Sequence, residues 1–102
     1  MFIFNTTYLV PNEMCEMWFK WLKEDCIPSM LNSGCFHTPQ VVKVLSNESP
    51  DGDSYSVQFR TESEELLEEW TEKYSEKFFE GFERIFGKKV LSFSSLLKEI
   101  EC

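Results

Sequence analysis

The feature that most restricts the fold is the run Ser54-Tyr55-Ser56-Val57-Gln58-Phe59-Arg60, which alternates polar and apolar residues without a break. A period of two is the mark of a β-strand with two unlike faces. Tyr55, Val57 and Phe59 are assigned to a core. Ser54, Ser56, Gln58 and Arg60 point the other way. No Pro or Gly interrupts the run, so it is predicted to pair on both sides as an inner strand. The opposite, polar face then needs a cover of its own, and the function turns on what supplies it.

A second inner strand is predicted over Phe2–Val10, with Phe4, Thr6, Tyr8 and Val10 on one face and Ile3, Asn5, Thr7 and Leu9 on the other. Pro11-Asn12 ends it, and Asn12 is expected to cap a helix carrying Glu13 and Glu16 in its first turn. Met14, Met17, Trp18, Trp21 and Leu22 form one apolar stripe on that helix. Pro28 is expected to kink or end it near Asp25–Ile27. Gly34 suits the left-handed stop that follows. Phe36–Leu45 reads as an edge strand, because Pro39 and Lys43 are tolerated only at an edge. Ser46–Asp53 reads as a polar turn closing a hairpin onto the central strand.

Thr61 or Ser63 is expected to cap one long helix running to about Phe86, with Gly87 as its stop. Leu66, Trp70, Tyr74, Phe78, Phe82 and Phe86 recur every four residues, so their stripe drifts around a 3.6-residue helix. Either Gly81 bends the helix to follow a sheet, or some of these rings meet a partner. Val90–Leu97 reads as the second edge strand. The expected architecture is α+β: one ferredoxin-like βαββαβ domain over residues 1–102, with a four-stranded antiparallel sheet and two helices on one face. The bare face mixes Ile3 and Leu9 with polar residues, which favours a twofold homodimer closing into an α+β barrel.

Eighteen acidic against ten basic residues leave a formal net charge of −8. That balance argues against nucleic acid and anionic membranes as partners, since both demand clustered Lys and Arg. No apolar run reaches membrane-spanning length, and Met1–Val10 lacks the basic start of a signal peptide. Cys15, Cys26, Cys35 and Cys102 include no C-x-x-C pair. On a shared helix Cys15 and Cys26 stand about 16 Å apart, too far for a disulfide. Free thiols and a cytoplasmic location are expected.

Trp18, Trp21, Ile27-Pro28, Gly34-Cys35-Phe36, Tyr55-Ser56-Val57-Gln58-Phe59 and Phe86-Gly87 together resemble a bacterial family of similar length and unknown function. That family is grouped with the dimeric α+β barrels. The resemblance implies the fold and the dimer, but no activity, cofactor or catalytic residue. Its members often place a histidine before the Ile-Pro pair, where this chain has Cys26.

His37 is the only histidine. It reads either as a general base or haem ligand at the barrel mouth, or as a surface turn residue. Asn5, Thr7, Ser56, Gln58 and Arg60 are the candidate lining of a pocket for a small polar or carboxylate ligand, with Arg60 offering bidentate pairing. The plainer alternative is hydrogen bonding between protomers. Cys26 and Cys35 lack a strong base beside them. Glu64, Glu65, Glu68, Glu69 and Glu72 spread around a helix with no histidine, so no metal and no cofactor is expected. The expected function is a homodimeric module binding a small polar ligand or a protein at or between facing sheets. The alternative is a small cofactor-free oxygenase or isomerase.

Overall fold

The computed structural model describes residues 1–101, the side chains of 47 and 48 aside. Cys102, the fourth cysteine, lies outside the described residues. Strands β1 (Phe2–Pro11), β2 (His37–Ser49), β3 (Gly52–Thr61) and β4 (Leu91–Lys98) form one sheet in the order β2-β3-β1-β4. Every neighbouring pair is antiparallel. The uninterrupted alternation of β3 and the uncharged β1 thus occupy the inside, and β1 and β3 pair continuously from Phe2↔Thr61 to Pro11↔Gly52.

The edge role expected from Pro39 and Lys43 holds, with different bounds. β2 runs on to Ser49, so the turn is only Pro50-Asp51 and not the whole of Ser46–Asp53. A register shift separates His37 from Gln40. Within it Thr38 has φ 53°, a left-handed conformation costly for a β-branched residue, and Pro39 sits where the ladder needs no donor.

The helical crossovers depart from the expected pair of helices. The first comprises a 3₁₀ turn (Asn12–Met14), α1 (Cys15–Trp21), a π turn (Leu22–Cys26) and α2 (Ile27–Asn32). Pro28 does not end it. In a regular α-helix its ring would strike the carbonyl four residues back. Here the Ile27 N–H reaches Leu22 O across five residues, and the wider turn delivers Pro28 to the start of α2, where a donor is not needed. Asn12 does not cap the helix either. Its side chain donates to Pro50 O at 2.8 Å and its backbone N–H to Asp51 O at 3.0 Å, tying β1 to the hairpin.

The second crossover breaks at Tyr74 into α3 (Glu64–Lys73) and α4 (Ser75–Phe86), so the order is not strictly βαββαβ. Gly81 is not the bend. The hydroxyls of Thr71 and Ser75 donate back to the carbonyls of Leu67 and Thr71, a pattern that loosens and bends helices at this level. Ser63 is the cap, its Oγ accepting from Leu66 N–H at 3.3 Å. Gly87 (φ 59°) and Gly34 (φ 77°) take positive φ at the ends, as expected.

The core lies between the helices and one sheet face. Phe4, Tyr8, Tyr55, Val57 and Phe59 meet Trp18, Trp21, Trp70, Phe82 and Phe86. The Tyr8 ring centroid lies 5.4 Å from Trp18, 5.7 Å from Trp21 and 5.5 Å from Phe82. Breaking the long helix lets the later rings follow the curved sheet: Phe78, Phe82 and Phe86 all reach Trp21. Tyr74 and Phe79 remain exposed. Beyond this core, β4 is exposed along its whole length.

Candidate functional site

The bare sheet face is ordered in rows, because cross-strand partners share a face. The register places Gln40, Gln58, Asn5 and Ser95 side by side across all four strands. That row is wholly polar. The next reads Val42, Ser56, Thr7 and Phe93, and the one after it Val44, Ser54, Leu9 and Leu91. On the other side lie His37, Arg60, Ile3 and Leu97. A polar track therefore crosses the face between a more apolar margin and one where His37 and Arg60 stand beside Ile3 and Leu97.

Within the track Gln58 Nε2 donates to Ser56 Oγ at 3.3 Å, Ser56 Oγ donates to Asn5 Oδ1, and Asn5 Nδ2 donates to Thr7 Oγ1 at 3.4 Å. These four expected site residues are thus brought together and oriented by one another. Gln40 and Ser95 complete the row. Sequence reasoning passed over both, since their membership follows from register and not from their own strands.

Arg60 and His37 stand apart from this chain of contacts. Arg60 Nη1 donates to Glu99 Oε2 at 3.1 Å. His37 Nε2 lies 2.8 Å from Glu62 Oε1, and Nδ1 lies 2.8 Å from Thr38 Oγ1. Both contacts are solvated, and an exposed ion pair such as Arg60–Glu99 contributes only about 0–1 kcal/mol. A hollow of about 410 Å³ opens at the opposite end of the same face, beside Leu9, Ser54 and Leu91 and under the hairpin residues Asp51 and Gly52. It includes none of Asn5, Thr7, Ser56, Gln58, Arg60 or His37.

The β4 strand carries the signal that matters most. Its partners on β1 put Ser92, Ser94 and Leu96 on the helix side, where Ser94 Oγ hydrogen-bonds Thr6 Oγ1 at 2.9 Å. Leu91, Phe93 and Leu97 point the other way. An edge strand serving only this chain's core has the opposite phase. Phe93 is 57% exposed and Leu91 56%. Ile3 and Leu9 share this outward face and are not tucked under the helices.

The thiols are poorly placed for nucleophilic chemistry. Burial pushes Cys26 up to about 12, with Asp25 adding in the same sense. Burial also raises Cys35, whose Sγ donates to Glu69 Oε2 at 3.5 Å. Glu69 itself is held below the usual carboxylate range, chiefly by Lys73 at 3.1 Å and also by Cys35. It belongs to α3, away from the bare face. Cys15, Cys26 and Cys35 are free thiols. Among the described residues no three His, Cys, Asp or Glu side chains gather as metal ligands, and no helix is long and apolar enough to cross a membrane.

A family model described as "Domain of unknown function (DUF4286)" matches residues 1–100. No curated protein matches the sequence. Among solved structures, a dimeric ferredoxin-like protein from an uncultured marine organism is similar at TM-score 0.69 and 16% identity, over 99% of this chain and 96% of that one. A candidate antibiotic biosynthesis monooxygenase from Deinococcus radiodurans is similar at TM-score 0.73 and 11% identity, over 100% and 95%. A mutant of MhuD with two manganese protoporphyrin IX bound per active site is similar at TM-score 0.67 and 14% identity, over 100% and 97%. At such identities the likeness establishes a ferredoxin-like fold and nothing of the chemistry.

Proposed function

The chain belongs to the DUF4286 family, and we propose that it is a single-domain homodimeric module, an α+β barrel of two facing sheets that encloses a small polar ligand. The observation carrying this reading is the outward phase of β4. Leu91, Phe93 and Leu97 turn their apolar side chains away from the helices and stand beside Ile3 and Leu9. A twofold axis would set this face against its own copy, burying the apolar margins and leaving the polar track as an internal lining. The structurally similar marine protein is itself dimeric.

Asn5, Thr7, Ser56 and Gln58 supply donors and acceptors to the enclosed ligand. Arg60 supplies a forked cation for a carboxylate, and His37 stands at the margin. The ligand is a small polar molecule, not nucleic acid or a membrane surface, in keeping with the net charge of −8. Free thiols at Cys15, Cys26 and Cys35 fit a cytoplasmic, reducing setting.

The alternative, a cofactor-free oxygenase or isomerase, draws on the short contact between His37 and Glu62. One feature favours the module: the carboxyl that is displaced among the described residues, Glu69, sits on the helical layer. The porphyrin of MhuD is not carried over, because a likeness at 14% identity establishes the fold alone.

Native mass spectrometry of the protein as isolated tests the reading. A dimer retaining a small molecule is expected, with the molecule lost in Gln58→Ala and Arg60→Ala while both variants stay folded and dimeric. Unchanged retention in both variants would remove the proposed lining.

A further inference from the structure

We propose that a second, independent site lies on the helical side of the molecule, between the π turn and α4, and that it takes a small carboxylate with a flat apolar body. A hollow of about 370 Å³ opens there. Trp21, Phe78 and Phe82 line it, with Trp21 packed against both phenylalanines. That size falls within the range of small-molecule pockets, which are mostly apolar with a few placed polar groups.

Charge sorting on α4 argues for the anion. The helix carries Glu76, Lys77, Glu80, Glu83 and Arg84 as its charged residues. Both cations line the hollow and none of the three carboxylates does. The chain as a whole carries −8, so a wall that gathers only cations runs against its composition. Among the described residues neither Lys77 nor Arg84 makes an ion pair within 4.0 Å. The facing wall contributes Asp25 and Ser29. Two cations line the hollow against one carboxylate, and Arg84 offers a planar fork matched to a carboxylate.

Gly81 is the independent observation. It stands in the interior of α4, where glycine weakens a helix relative to alanine. It has no positive φ, and a Cβ built on it would meet nothing within 4 Å. Neither backbone conformation nor close packing calls for glycine here. What its missing side chain provides is the open space of the hollow itself. The hollow opens to solvent; of its apolar lining Trp21 and Phe82 are buried and Ile85 is exposed.

The test uses 2-naphthoate as probe and 2-naphthylmethylammonium as its cationic counterpart, followed by amide NMR shifts. The expected result is saturable binding of the naphthoate, with the largest shifts at Gly81 and Ser29. Binding weakens at least tenfold in Lys77→Gln/Arg84→Gln and disappears in Gly81→Leu. Gly81→Ala, which adds only one methyl to open space, shows that substitution at this position leaves the fold intact. No binding of the naphthoate, equal binding of the ammonium compound, or shifts centred on Leu91 and Phe93 would each overturn the proposal. None of these outcomes bears on whether the chain dimerises through its sheet.

Discussion

Replacing Phe93 by serine tests the bare sheet face most directly. Phe93 is 57% exposed in the single chain. With roughly 200 Å² for a phenylalanine side chain, about 115 Å² of it is available to a partner. At about 25 cal/mol per Å² its complete burial stabilises by about 3 kcal/mol per protomer. A twofold interface counts the substitution twice, giving about 6 kcal/mol. Allowing for half of the ring area being covered returns about 3 kcal/mol, or about a hundredfold in the dimer dissociation constant. Sedimentation velocity across a dilution series reads this directly. Phe79→Ser is the matched control, because Phe79 is 43% exposed but lies on α4 at the helical side. The expected result is a large rise in dissociation constant for Phe93→Ser and little change for Phe79→Ser. Because Phe93 contributes little to its own protomer's core, monomer unfolding in urea stays near wild type. A wild-type protein that sediments as a monomer at micromolar concentration, or equal effects of the two serines, refutes the reasoning.

Two further outcomes follow from single residues. Cys26 keeps its proton up to about pH 12 when folded, whereas the unfolded thiol releases it near 9, so the unfolded state binds fewer protons between these limits. Stability therefore falls as pH rises through that window, by up to about 1.4 kcal/mol per pH unit from this group, and Tyr8 and Tyr55 act in the same direction. Urea midpoints at pH 8 and pH 10.5 should diverge, and Cys26→Ala should reduce the difference; parallel behaviour of variant and wild type would discount the buried thiol. Gly52→Ala places a methyl against the carbonyl oxygen of Val10, which is backbone and cannot swing aside. A loss of about 1–3 kcal/mol is expected on thermal melting, and an unchanged melting temperature would show that β1 and the hairpin do not approach so closely.

Much of the fold was readable because single residues carry strong local physics. Pro39 and Lys43 mark β2 as an edge, and the unbroken alternation of β3 demands two neighbours. Ser63, Gly87 and Gly34 are governed by backbone groups within a turn of themselves, so their roles survive without tertiary context. Pro28 and Asn12 did not behave locally. The first is accommodated by a π turn placed just ahead of it, and the second is claimed by a hairpin distant in sequence. At Tyr74, two hydroxyl-to-carbonyl contacts and the curvature of the sheet outweighed a helical pattern that continued on either side.

The site followed the same division. Asn5, Thr7, Ser56 and Gln58 share a face by periodicity alone, and their mutual hydrogen bonds need only the pairing of two inner strands. Gln40, Ser95 and the outward Phe93 required the register of the edges, which alternation within one strand does not supply.

The two undressed surfaces differ in a way that decides their occupants. The sheet face has apolar residues on both sides of a polar row, with His37 and Arg60 sharing one side with Ile3 and Leu97, so rotation by half a turn sets few charges against their own sign. Arg60 is the exception, and in the single chain Glu99 already offsets it. The helical hollow has no such symmetry: its cations stand on one wall, and a second copy presenting the same wall would be repelled. On these proposals, a surface complementary to itself would take a twin, and a hollow lined by Lys77 and Arg84 would take a small anion.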